Sequence, residues 1–185
     1  VTVSEPATLL TDYALGAVSL WISIKLFQKK RWWSLCFAAL AAAAFLGGTW
    51  HGFVQSDALW KATLIAAGVA SFGMTVGAGN ETDFGKLFFA FGLVKLLLYA
   101  FWMLSHDEFI WVVADSGSAL AVVAAVYLWR LNGWMLAGVA LAVAGALVQA
   151  GGLALHPHFN HNDLYHVMQT VAILLMYRGL ARKGS

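Results

Sequence analysis

The chain is written as seven apolar stretches, each close to the roughly 20 residues a helix needs to cross the hydrocarbon core of a bilayer. They run over residues 7–27, 33–53, 58–79, 85–105, 109–130, 133–155 and 161–180. Short polar punctuation separates them: Gln28-Lys29-Lys30-Arg31, Gln55-Ser56-Asp57, Gly79-Asn80-Glu81-Thr82-Asp83, Ser105-His106-Asp107-Glu108, Arg130-Leu131-Asn132 and His156-Pro157-His158-Phe159-Asn160-His161. Hydrophobic residues make up 61% of the chain and Asp, Glu, Lys and Arg only 11%, against roughly 25% charged in a soluble domain. So few charges cannot wet the surface of a water-soluble fold. The expected architecture is an all-α membrane protein, a single seven-transmembrane bundle over residues 1–185 with no room for a soluble domain. Ser4-Glu5-Pro6 reads as a helix start. Nothing basic precedes the first span, so a cleaved signal peptide is not expected. The single cysteine, Cys36, excludes an intrachain disulfide and a cysteine-rich zinc module. A net charge of +2 gives no footing for nucleic acid.

Seven crossings put the termini on opposite faces. Lys25, Lys29, Lys30, Arg31, Lys86, Arg130, Arg178, Arg182 and Lys183 share the carboxy-terminal face, nine of the 11 basic residues. The positive-inside rule makes that face cytoplasmic and puts the amino terminus outside, in a multi-pass protein of a bacterial inner membrane. Trp32, Trp33, Trp129 and Trp134 then mark the inner boundary and Trp50, Trp60, Trp102 and Trp111 the outer one.

Under this topology all six histidines fall near the outer face: His51, His106, His156, His158, His161 and His166. Glu5, Asp12, Asp57, Asp107, Glu108 and Asp163 join them at similar depth, with Lys61 the only basic residue nearby. Imidazoles and carboxylates are the donors of a Zn²⁺ site. His106, His156 and His158 read most simply as solvated interface residues. His51 and His166 sit at or within a span, where an unpaired polar group is costly. Asp12 and Asp115 also lie inside spans, and Lys95, in the middle of span four, must face the bundle, with Asp115 as a partner. At 100° per residue, His166 shares a face with Asn162 and Asp163, while His161 is about 140° round the helix. His161 meets the same ion only from a non-helical lead-in, for which Asn160 or Asn162 would be the cap. Asp163 and His166 form a D-x-x-H pair of the kind found inside metal-binding bundles.

Taken together, Thr11-Asp12-Tyr13, Gly48-Thr49-Trp50-His51-Gly52 and Phe159-Asn160-His161-Asn162-Asp163-Leu164-Tyr165-His166-Val167-Met168-Gln169 resemble a small bacterial branch of the CREST superfamily. That superfamily comprises the alkaline ceramidases and the adiponectin-receptor-like proteins. The resemblance implies a seven-helix metal-dependent hydrolase in which three histidines bind zinc and a Ser and an Asp support cleavage of a lipid amide. Carried over by motif, His51 matches the ligand of span two, Asp57 the acid of span three, and His166 the second histidine of span seven. Two positions depart from the pattern. Gly47 stands where S-x-x-x-H has its Ser, and Asn162 stands where H-x-x-x-H has its first His. The third ligand is then His161 or Asp163. Asp57 also lies closer to His51 than the family's acid does.

The expected chemistry is hydrolysis of a lipid amide or ester near the outer leaflet. Asp57, or whichever of Asp163 and Asp12 is not a ligand, handles the proton. Asp12, Thr49 and Asn162 support the site from around it, and Thr49, Tyr13 and Asn162 are candidate donors to the oxyanion. The expected partners are a membrane lipid, as substrate or ligand, and the bilayer itself. The competing reading is a non-catalytic seven-helix receptor or lipid-binding protein with a structural zinc, which the missing Ser favours. A retinal protein is disfavoured because span seven has no lysine, and a transporter because no inverted repeat is visible.

Overall fold

The computed structural model describes residues 3–156 and 158–181 and is helical throughout. The helices are α1 (Pro6–Leu26), α2 (Arg31–Gly52), α3 (Asp57–Gly79), α4 (Gly85–Trp102), α5 (Phe109–Trp129), α6 (Gly133–Ala150) and α7 (His161–Ala181). Pro157, Arg182 and Lys183 of the sequence argument lie outside the described residues. Among the described residues no strand forms. The nearest thing is a two-residue bridge in which His156 and Phe159 exchange backbone hydrogen bonds.

Six helices, α1 to α6, are long and apolar enough to cross a membrane. α7 matches them in length, with 21 residues. Its first turns, however, carry His161, Asn162, Asp163, His166 and Gln169, which lower its apolar character. Two boundaries differ from the apolar pattern for local reasons. α6 stops at Ala150 although apolar residues continue to Leu155, because Gly152 adopts φ 64°. The Gly152 N–H then donates to Gln149 and the Leu153 N–H to Val148, a Schellman closure that terminates the helix. α7 begins at His161 because Asn160 caps it. The Asn160 Oδ1 accepts from the backbone N–H groups of Asn162 (2.8 Å) and Asp163 (3.2 Å).

Packing follows chain order with one exception. α1, α2, α3, α5, α6 and α7 form a closed ring, and α4 lies outside it against α3. α4 accordingly buries only Gly92 and Tyr99. Where helices approach most closely the residue is glycine. A Cβ at Gly48 would meet the Asp12 Cβ at 2.9 Å, and one at Gly138 would meet the Ala172 carbonyl at 2.8 Å. The core centres on Ile22, Trp33, Phe37, Val123, Met135 and Met176. Several polar side chains inside it are paired across helices, which offsets their burial, whereas, among the described residues, Ser19 Oγ, Trp33 Nε1 and Tyr127 OH are buried without a hydrogen-bond partner. Ser23 and Ser34 each donate to the other's backbone carbonyl at 2.9 Å, joining α1 to α2. The Lys95 Nζ lies 2.5 Å from the Asp115 Oδ1 and donates to the Ser71 Oγ at 2.7 Å, tying the outlying α4 to α5 and α3. At the ring's basic end Glu81 takes Lys30 and Arg130 together, so the loops α1–α2, α3–α4 and α5–α6 meet at one end.

Candidate functional site

The first two turns of α1 gather the polar residues at the opposite end. Glu5, Thr8 and Asp12 follow one another at helical spacing and share a face, with Thr11 beside them. Each has a partner on α2 or α7. The Glu5 Oε2 accepts from the His51 Nδ1 at 3.1 Å. Thr8 Oγ1 donates to the Asp163 Oδ1 at 2.7 Å. Asp12 Oδ1 lies 3.2 Å from the His166 Nε2, and Thr11 Oγ1 lies 3.3 Å from the His166 Nδ1. The Asp12 and His166 side chains are only 6% and 11% exposed.

The Thr11 hydroxyl has one proton and three acceptors in reach, the backbone carbonyls of Ala7 and Thr8 at 3.0 and 3.1 Å and the His166 Nδ1 at 3.3 Å. The His166 ring is thus tied to α1 through both nitrogens, Nδ1 to Thr11 and Nε2 to Asp12. The buried Asp12–His166 contact of 3.2 Å holds a proton, carried by the ring or by the carboxyl. His51 is held by one nitrogen. With Nδ1 donating to Glu5, its Nε2 presents a lone pair. A histidine whose second nitrogen donates to a carboxylate is the usual arrangement behind a metal ligand.

Asp12, Gly47, His51, Thr63, His161, Asn162, Tyr165 and His166 line the polar end of a cavity of about 490 Å³, a size typical of ligand sites. Along α2 its lining runs from His51 down to Trp33, a rise of about 27 Å, past Leu40, Phe37 and Cys36. Among the described residues no lysine or arginine contributes to this wall. A long apolar slot therefore ends in three imidazoles and a carboxylate, with Glu5 and Asp163 close behind.

The residues singled out from the sequence divide accordingly. His51, His161, His166, Asp12 and Asn162 all face the cavity. Asp163 does not. It is buried, its Oδ1 takes the Thr8 hydroxyl and its Oδ2 takes the Asn160 backbone N–H at 2.7 Å. With Asn160 it forms a reciprocal capping box, which stitches the start of α7 to α1. Asp57 is exposed in the first turn of α3, beside the Ser56 cap, and is not on the cavity wall. There it favours the helix electrostatically. Thr49 donates to the Phe45 carbonyl at 2.7 Å and meets the Tyr13 hydroxyl at 3.0 Å, also off the wall. Sequence reasoning passed over Thr8, quoted Thr11 only within the Thr11-Asp12-Tyr13 motif without a role, and used Glu5 only as part of a charge cluster. The spacing of 5, 8 and 12 on one helix face was the available signal. It also passed over Gln149 and Gln169, which line the cavity and whose amides donate to the Asn162 Oδ1 and the Ala142 carbonyl.

The donors suit zinc in kind, and the Asp12–His166 separation of 3.2 Å is close to the roughly 3.3 Å edge of a tetrahedron with bonds of about 2.0 Å. Among the described residues, however, no three of His, Cys, Asp and Glu already converge as a metal-holding group.

A family model matches residues 7–185. The chain belongs to DUF6962, a family of unknown function. The DUF6962 match takes in Asp12, His51 and His166 and begins just after Glu5. No curated protein and no solved structure matches the chain.

Proposed function

We propose that this protein is a multi-pass membrane hydrolase that cleaves a lipid amide or ester with the help of zinc, in keeping with its resemblance to the CREST superfamily. The observation carrying this reading is the buried Asp12–His166 pair, 3.2 Å apart, at the polar end of an acyl-length apolar cavity. In this reading all seven helices cross a bacterial inner membrane. The basic end, with Lys29, Lys30, Arg31 and Arg130, is cytoplasmic, and the site faces the extracytoplasmic side.

The apolar wall from Leu64 to Met176 takes an acyl chain and excludes water from it. This leaves the scissile carbonyl at the level of His51 and His166. Zinc held by these histidines would supply a Lewis acid that polarises the carbonyl. Asp12 is the carboxylate on the wall, and its Oδ2 takes the proton of the attacking water. The water oxygen bonds to the carbonyl carbon, the C–N or C–O bond breaks, and Asp12 returns the proton to the leaving nitrogen or oxygen. Asn162 accepts from Gln149 through its Oδ1, so its Nδ2 is the group free to donate to the developing oxyanion. Asp57 has no part in this scheme.

The experiment is to incubate the purified protein in micelles with N-acyl amide and acyl ester lipids and follow fatty-acid release by mass spectrometry. Release by the native chain that falls to background in His166→Ala supports the reading. Equal release by the two chains, or none from any lipid, refutes it. A second reading, a lipid-binding or receptor bundle whose metal is structural, draws on Gly47, which leaves the wall without the hydroxyl that the resemblance would supply. Tight retention of an intact lipid without turnover would select it.

A further inference from the structure

The basic end of the ring has a recess of its own. The α1–α2 loop from Gln28, the first turn of α2, and Gly77, Asn80 and Glu81 at the end of α3 enclose about 450 Å³ there. Lys29, Lys30 and Arg31 bring three cations to its wall, and among the described residues Glu81 is its one carboxylate. Glu81 is already engaged: Lys30 holds one of its oxygens and Arg130 approaches the other at 3.7 Å. Lys29 and Arg31 are exposed, and among the described residues neither pairs with a carboxylate. The recess therefore carries surplus positive charge.

Backbone donors converge on the same place. α2 opens without a side-chain cap. Its first helical hydrogen bond runs from the Ser34 N–H to the Lys30 carbonyl, at 2.9 Å. The N–H groups of Arg31, Trp32 and Trp33 precede that ladder, at the positive end of a 22-residue helix. Anions favour such an end.

A buried side chain adds a donor. Trp33 is 1% exposed, its Nε1 has no acceptor among the described residues, and the residue lines the recess. Gly77 lines it too, and a Cβ there would stand 3.0 Å from that nitrogen. The missing side chain leaves the ground beside the indole free. A buried N–H without an acceptor is costly, and an oxygen entering past Gly77 would remove that cost.

We propose that this recess binds the phosphate of an anionic glycerophospholipid from the leaflet in which the basic end lies. Lys29 and Arg31 supply charge, the start of α2 supplies backbone donors, and Trp33 Nε1 supplies the innermost one. Position favours a lipid over a free anion. Trp32, Trp129 and Trp134 mark headgroup level at this end, and basic pockets beside spanning helices take anionic headgroups. A zwitterionic headgroup would bring a cation for which Glu81, held by Lys30 and Arg130, has no free charge. The site lies at the far end of the bundle from His51 and His166 and does not depend on the hydrolase reading.

The full chain in micelles is titrated with short-chain phosphatidylglycerol, phosphatidylcholine or inorganic phosphate, and the retained ligand is counted by native mass spectrometry. Phosphatidylglycerol should be retained at one lipid per chain and the other two should not. Lys29→Gln combined with Arg31→Gln should weaken retention at least about tenfold, as expected for removing two cations from an anionic headgroup. Lys86→Gln, which removes an exposed cation at the same end but off the recess, should leave retention unchanged. In protein isotope-labelled at tryptophan, the Trp33 indole N–H resonance, identified by its absence in Trp33→Phe, should move with phosphatidylglycerol and stay still with phosphatidylcholine.

Equal retention of the two lipids, or equal weakening by Lys86→Gln, would show diffuse attraction and overturn the site. A Trp33 resonance that phosphatidylglycerol leaves unmoved would overturn it as well. Inorganic phosphate binding as tightly as phosphatidylglycerol would assign the recess to a free anion and overturn the lipid.

Discussion

Asp12 Oδ1 and His166 Nε2 lie 3.2 Å apart inside the bundle, and Thr11 Oγ1 meets the far side of the same ring at 3.3 Å. This relationship gives the cavity a chemical end. The rest of its wall is apolar, with scattered hydroxyls and amides that either pair with neighbours or face the slot. That end is rich in carboxyl groups, since Glu5, Asp12 and Asp163 cluster there, and among the described residues no lysine or arginine lines the cavity. Such an end attracts a cation and repels a phosphate.

The space beside Gly47 offers a direct probe. A Cβ there would meet Thr63 at 3.4 Å and Asp12 at 3.7 Å, both ordinary contacts. Gly47→Ser should therefore fold with a stability loss no larger than the roughly 1–3 kcal/mol of a small added group and place a hydroxyl beside the Asp12 carboxylate. Fatty-acid release should rise. Thermal unfolding and the release assay check both expectations, and a large loss of stability would show that the wall has no room.

Asp57→Asn should leave zinc content and turnover at native levels, because the side chain is exposed at the start of α3 and off the cavity wall. The change removes a favourable charge from a helix start and should cost no more than about 1 kcal/mol. Loss of turnover in a folded, zinc-loaded variant would return Asp57 to the reaction.

The Lys95–Asp115 pair holds α4 from inside the bundle. Asp115→Ala strands the Lys95 ammonium, at a cost of about 3–5 kcal/mol, whereas replacing both partners with apolar residues should recover much of the loss. Unfolding of the single and double variants in micelles measures this. Equal stability of Asp115→Ala and the native chain would show that Lys95 escapes to the interface.

Single cysteines placed at Arg31 and His158 should react with an impermeant thiol reagent from opposite sides of a sealed membrane. Cys36 is buried and should stay silent. Labelling of both positions from one side would contradict the orientation proposed above.

The helices were legible because a 20-residue apolar run has few other uses. Their ends were less so. The apolar residues Leu153 and Leu155 continue the pattern of α6, yet Gly152 ends the helix before them, and a left-handed glycine is not distinguished by hydropathy. Lys95 and Asp115 could be paired from sequence because an ion in mid-span has little alternative. His51, His166 and Asp12 stood out by depth alone. Depth says nothing about direction, however, and Asp57 shows the consequence. It is six residues from His51, but the connection through Phe53 to Ser56 leaves it outside. Asp163 has the spacing of a metal-bundle carboxylate and, equally, that of a capping box with Asn160. Only the three-dimensional position of Thr8 decides between them. Thr11 was invisible as a partner because its role depends on which helix packs beside α1.

The most direct measurement is zinc-edge X-ray absorption on the purified chain. The account predicts zinc bound by imidazole nitrogens, with only nitrogen and oxygen donors at about 2.0–2.2 Å and no sulfur in the shell. Absence of a zinc signal, or a shell containing sulfur, would contradict it.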